Sequence, residues 1–313
     1  MTSNLSASFR IKQFLVSILP ITQWLPTYRA TWFRSDLVAG LTLTAYAIPV
    51  ALAYASLAGL PSQVGLYCYM LGAIGYAFFG TSRQLALGPT SAISILVGVS
   101  LAPLAVDDPA RYLAMASLTA ILVAGLCVIA WALKLSQVVN FISEPILTGF
   151  KAGAALQIAS TQLPKLFGIP SGGNNFFTRI WDLLKHLPEV HFPTLGVGMI
   201  ALILLIFGDR VFPKQPISLL VVILAIIAMS ISGLPEQGVK VVGEIPQGLP
   251  VFGLPQWTLN DVNNLLPLAL ACLLLSYIEG ISTARSFAIK HSYAISAEQE
   301  LLAIGAANLV SCS

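Results

Sequence analysis

The sequence predicts an all-α polytopic membrane protein. Three observations carry this. Residues of the AVILMFWYC set make up 57% of the 313-residue chain and charged residues only 9%, whereas a soluble domain carries about a quarter charged residues. Apolar runs recur that approach the roughly 20 residues a helix needs to cross the hydrocarbon. Threaded alternately across a bilayer, those runs also sort the basic residues to one side.

Residues 1–35 mix Pro20 and Pro26 with basic residues and read as a cytoplasmic segment holding a short interfacial helix, not a cleaved leader. Span one is expected at Asp36–Leu57 and span two at Val64–Phe79, between Pro61 and Gly80. Span three is the segment around Gly88-Pro89, continuing to Leu104, and span four covers Tyr112–Leu133. The stretch KLSQVVNFISEP is a candidate surface helix leading into span five, Ile146–Leu163. A polar linker with a helical turn or two of amphipathic pattern precedes span six, Thr194–Phe207, and span seven, Ile217–Ile231. Residues 235–264 are a Gly/Pro-rich outer connection with extended character. Residues 265–313 hold span eight, Leu265–Ala284, and the start of span nine near Glu298.

With the N-terminus in the cytoplasm, the inner loops collect Arg10, Lys12, Arg29, Arg34, Arg83, Lys134, Arg210, Lys214, Arg285 and Lys290. The outer loops hold the smaller set Arg111, Lys165, Arg179, Lys185 and Lys240. The positive-inside rule favours this orientation, in a plasma (inner) membrane. Lys151 falls inside span five, where it snorkels or pairs with Glu144 two turns earlier. Cys68, Cys127, Cys272 and Cys312 are scattered and form no CxxC pair, so neither a disulfide framework nor a zinc site is expected. No HExxH or GxSxG pattern points to an enzyme.

The segment QLALGPTSAIS, Gln84–Ser94, is the informative one. Gly88-Pro89 stops a helix and Thr90-Ser91 starts one. From Thr90 to Leu101 a helix of about twelve residues is only about 18 Å long, against a core of about 30 Å. The rest of the crossing must be extended chain, which lipid cannot hydrogen-bond. A half-helix that starts at mid-membrane aims free N–H groups and its positive dipole end into a protein cavity, which suits an anion. The competing reading is one continuous helix kinked at Pro89. Thr90, Ser91 and Ala92 are the candidate anion contacts, and the Thr90 and Ser91 hydroxyls also suit a capping role.

A second constellation lies in LLLSYIEGISTARS. Glu279 is the main acid within an apolar span, and burying it there costs a few kcal/mol unless it faces a cavity, a partner or an ion. Ser276, Glu279 and Thr283 stand at i, i+3 and i+7, on one helix face.

The blocks AYASLAGLPSQVGLY and GTSRQLALGPT resemble the SulP sulfate permeases, also called the solute carrier 26 anion transporters. The segments EPILTGFKAGAALQIASTQLPKLFGI and QELLAIGAANLV resemble later family segments in the right order. The resemblance implies a fold of two inverted seven-segment repeats, each divided between a core and a gate domain. Half-helices three and ten face each other across the anion there. On this reading residues 36–234 are the first repeat, with spans one to four in the core and five to seven in the gate. The chain is then expected to be the N-terminal portion of a longer protein, with no STAS domain within it.

The resemblance also implies that Tyr54 lines the anion pocket and that Ser276, Glu279 and Thr283 carry ion coupling, through Na⁺ at Glu279 and Thr283 or through H⁺. Ile48, Val50 and Ala51 are weaker pocket candidates. Val50 departs from the family, which often places Gln or Glu there, so coupling assigned to that position is not carried over. The expected function is secondary transport of sulfate or a similar small inorganic anion. Bicarbonate, chloride, a dicarboxylate or a nucleobase are the competing cargoes, and a non-transporting membrane fragment is the competing role. The expected partners are the anion, the lipid bilayer and a second copy in a homodimer. No nucleic acid and no cofactor are expected beyond the coupling ion.

Overall fold

A computed structural model describes residues 18–105, 108–136, 144–170, 176–212, 215, 217–241, 248, 253 and 256–312. Among them the regular elements are helices. A short turn of helix, α1 (Ile21–Trp24), and two 3-10 turns (Leu25–Thr27 and Ala30–Trp32) lead in. Then come α2 (Phe33–Leu57), α3 (Ser62–Phe79), α4 (Ser91–Leu101), α5 (Pro109–Ala132), α6 (Glu144–Phe167), α7 (Phe176–Lys185), α8 (Phe192–Val211), α9 (Ile217–Ser232), α10 (Leu259–His291) and α11 (Ala297–Ser311). Most of the expected surface helix before span five, most of the extended connection, and the Glu144 and Lys151 side chains lie outside what is described.

The nine expected spans fall on α2 to α6 and α8 to α11, with α7 in the linker between spans five and six, and helices such as α5 and α10 start before the expected span where a polar cap precedes the apolar run. Helix α5 starts at Pro109 because the Asp108 carboxylate accepts from the Arg111 amide at 2.9 Å. Helix α10 runs for 33 residues, about 50 Å, well beyond the hydrocarbon. Its start is a capping box: Thr258 Oγ1 accepts the Asp261 amide, and Asp261 accepts the Thr258 amide at 2.8 Å. Its end is Ser292 in the left-handed conformation (φ 54°). Among the described residues, four helical stretches are long and apolar enough to cross a membrane by length and composition: Ala30–Leu57, Pro109–Ala132, Phe192–Val211 and Leu259–His291. Helix α4 belongs to the shorter apolar helices, as does α9.

The chain divides into two compact units. The first comprises Met1–Asp36, Tyr54–Ser143 and Gly248–Ser313. In it α11 packs on α3 and α5, and α10 packs on α5 and α4. Its core holds Leu101, Met115, Val123, Cys127, Leu265, Tyr277, Leu301 and Ile304. Lipid tails are as apolar as these side chains, so close packing must hold the helices together. Glycines provide it: a Cβ on Gly75 would lie 2.9 Å from Ala307 Cα, and one on Gly305 would lie 2.8 Å from Cys127 Cβ.

The second unit comprises Leu37–Ala53 and Glu144–Gln247. Here α6 packs on α7 and α8, and α8 packs on α9. His191, before α8, contacts Thr194 Oγ1 at 2.7 Å and the Gln237 carbonyl at 2.9 Å, tying the start of α8 to the turn after α9. The amphipathic linker is the ten-residue α7, with Phe177, Trp181 and Leu184 exposed on one face and Leu183 buried.

Candidate anion site at the start of a half-helix

The chain leaves α3 at Gly80 in an extended conformation (φ −72°, ψ 150°). Residues 85–90 have no regular structure before α4 begins. Helix α4 has 11 residues, about 17 Å of rise, so it is a half-helix and not a kinked continuous span. Thr90 is its N-cap, with extended backbone (φ −115°, ψ 156°). The Thr90 hydroxyl accepts the Ile93 amide at 3.5 Å, and its carbonyl accepts the Ser94 amide at 2.9 Å. The amides of Ser91 and Ala92 have no acceptor among the described residues. Ala92 is buried, and Thr90 and Ser91 are half-buried. The three candidate residues thus divide their roles: Thr90 caps, and Ser91 and Ala92 keep open donors. Two open amides at the positive end of a helix form a nest for negative charge.

Contacts from distant segments fix this start. Gly88 lies flat against the Tyr69 ring on α3, and a Cβ there would overlap the ring. Leu87 and Ile93, either side of the cap, pack against the core cluster. Farther along α4, a Cβ on Gly98 would sit 2.6 Å from the Leu57 carbonyl, so α4 touches the end of α2. The Tyr112 hydroxyl closes that junction, 2.6 Å from the Ala58 carbonyl and 3.4 Å from the Gly98 carbonyl. Tyr69 and Tyr112 escape sequence reasoning because each is an ordinary aromatic in a span, and its partner is remote in sequence.

Tyr54 is half-buried in the last turns of α2. It belongs to the same unit as the half-helix. Ile48 is exposed, Val50 half-buried and Ala51 buried, and all three fall in the other unit.

Ser276, Glu279 and Thr283 lie on α10, the helix that packs on α4. Thr283 Oγ1 donates to the Glu279 carbonyl at 2.9 Å, which leaves its lone pairs open to a cation. The Glu279 carboxylate is half-buried and makes no hydrogen bond or ion pair among the described residues. No hydrogen bond joins this face to Thr90, Ser91 or Ala92 among those residues.

Glu279 is not the most buried acid. Glu300, at the start of α11, is 1% exposed and fully hydrogen-bonded. Arg83 places its guanidinium 5.4 Å from the centre of the Tyr293 ring, an anchoring contact at the start of the arm that leads to α4.

At the other end of α10, Asp261 holds a second junction. It bonds Arg111 on α5 at 2.6 Å. Its carboxyl is held below the usual carboxylate range, first by the Thr258 amide, then by the Thr258 hydroxyl and Arg111. Arg111 is 41% exposed, so the ion pair adds little beside the cap. A depressed carboxylate pKa stabilises the fold above the unfolded value of about 3.9 and loses that contribution as pH falls through the folded value. Asp261→Asn is expected to cost about 1 kcal/mol at pH 7 and to weaken the loss of thermal stability below about pH 4. Superimposable melting profiles from pH 3 to 7 for variant and wild type would contradict this.

Comparison with known proteins then decides the family. Residues 33–312 match the family model described as the sulfate permease family. The chain belongs to that family. The chain is 36% identical over 282 residues to a probable sulfate transporter of Mycobacterium tuberculosis, covering 90% of this chain and 50% of that one. It is 30% identical to a sodium-independent sulfate anion transporter of Bos taurus, covering 93% of this chain and 53% of the other. It superposes on the murine solute carrier 26 member A9 anion transporter in its inward-facing state with a TM-score of 0.88 and 27% identity. That match covers all of this chain (100%) and 55% of the transporter. The transmembrane domain of a cyanobacterial bicarbonate transporter shares the fold, with a TM-score of 0.77 at 24% identity, over 91% of this chain and 73% of that domain. The chain spans about half the length of the curated relatives it matches. Over its length, the expected SulP fold, with a short extended segment before half-helix three, is borne out.

Proposed function

We propose that this permease takes part in secondary transport of sulfate or a similar small oxyanion, bound at the N-terminus of α4. The two open amides of Ser91 and Ala92 carry this reading. They lie at the positive end of a half-helix, beside a buried alanine that keeps the approach dry. Thr90 sets the helix start, and Tyr54 supplies an aromatic wall. With no fixed cationic side chain in this set, binding stays weak enough for release. Ser276, Glu279 and Thr283 form the coupling face, taking Na⁺ or a proton. The division into two units supports movement of a core, holding α4 and α10, past a gate holding α6 to α9. The setting is an inner or plasma membrane with the N-terminus in the cytoplasm.

The test is uptake of radiolabelled sulfate into proteoliposomes, with bicarbonate, chloride and oxalate as competitors. Saturable uptake, blocked best by unlabelled sulfate, is expected. No uptake above empty vesicles would sink the transport reading, and stronger block by another anion would reassign the cargo.

A further inference from the structure

The extended arm that carries the anion half-helix is gripped at its cytoplasmic end by the start of α11. Helix α3 stops at Phe79 with its last carbonyls in need of donors, and past Gly80, whose amide donates to the Tyr76 carbonyl, the arm's next amides need acceptors. Glu300 and Gln299 meet both needs. Glu300 Oε1 accepts the Thr81 amide at 2.8 Å, the Thr81 hydroxyl at 2.5 Å and the Ser82 amide at 3.3 Å. Its Oε2 accepts the Tyr76 hydroxyl at 2.7 Å. Gln299 Nε2 donates to the Phe79 carbonyl at 3.0 Å. The α11 cap closes the ring, since the Ser296 amide donates to Thr81 Oγ1 at 3.3 Å. A carboxylate this buried persists only if its charge is met, and four donors and a helix N-terminus meet it here.

We propose that Glu300 is a positioning residue for the anion site, acting through Thr81 and the arm. Short donor contacts to an ionised acceptor are stiff. They fix where the arm leaves α3, and the Gly88–Tyr69 contact fixes where it meets α4. Between two fixed ends, the Ser91 and Ala92 amides have one height in the protein. Loosening the Glu300 end lets the half-helix start drift from the bound anion. This inference rests on the anion reading of α4, but the clamp has a readout of its own.

The experiment compares Glu300→Gln, Thr81→Val, their double variant and Thr81→Ser in the full chain. Glu300→Gln and Thr81→Val are each expected to raise the KM for sulfate uptake about tenfold while kcat changes little. The double variant is expected to be no worse than the worse single one, because both cut the same link. Thr81→Ser keeps the hydroxyl and is expected to match wild type. Hydrogen exchange is read in parallel without any anion. In Glu300→Gln the hydrogen-bonded amides at the two ends of the arm, those of Thr81, Ser82, Ile93 and Ser94, are expected to exchange about tenfold faster, with those of α5 unchanged. Unchanged exchange at these four amides overturns the clamp. Faster exchange with an unaltered KM, in protein that takes up sulfate, overturns the positioning role. If wild type shows no sulfate uptake, the transport reading fails and exchange at these amides alone decides the clamp.

Discussion

Ser91→Glu is expected to abolish sulfate binding, weakening it by more than about a thousandfold. On the proposed placement, the variant carboxylate would occupy the anion's position and compete for the same Ser91 and Ala92 donors. It would also oppose a divalent anion at about 4 Å with on the order of 8 kcal/mol at an effective dielectric near 20. The helix itself should tolerate the change, because an acid in the first turn suits the dipole. Ser91→Ala removes the hydroxyl but keeps the amide, and is expected to change affinity less than about tenfold. The pair therefore separates backbone recognition from side-chain recognition. Equal sulfate binding by Ser91→Glu and wild type, measured by radioligand binding to purified protein, would refute the placement of the anion.

The second large effect concerns Glu279. A carboxylate within a membrane helix costs roughly 2.5–3.5 kcal/mol when it lacks a counter-charge, and none is supplied among the described residues. In the proposed coupling role, a cation or a proton would supply it. Glu279→Gln keeps the shape and removes the charge. Uptake by this variant is expected to lose its response to an imposed Na⁺ or pH gradient, with stimulation falling at least about tenfold. Downhill uptake should survive, because the anion donors on α4 are untouched. An identical gradient response in the variant would remove Glu279 from the coupling role.

The half-helix was legible in the sequence because its signals are local. Gly88-Pro89 breaks the chain, Thr90 caps it, and the count to Leu101 is too short to cross. Glu279 was legible because charge is rare in apolar runs. Glu300 was not: acids are common in the first turn of any helix, so its residue type and position do not single it out. What sets it apart is its partners, more than 200 residues away in Tyr76, Thr81 and Ser82. Tyr69 and Tyr112 were hidden for the same reason, since packing against Gly88 and Gly98 depends on tertiary contact and leaves no periodic trace. The starts of α5 and α10 lie outward of the expected spans because hydropathy marks where lipid begins, while caps such as Asp108 and Thr258 mark where the helix begins.

Selenate, a sulfate isostere with a strong anomalous signal, tests the central placement most directly. Crystals of the protein grown with selenate are expected to show an anomalous peak within hydrogen-bonding distance of the Ser91 and Ala92 amides, absent from Ser91→Glu crystals. A peak elsewhere in the membrane region, with the α4 start empty at saturating selenate, would contradict an anion site built on this half-helix.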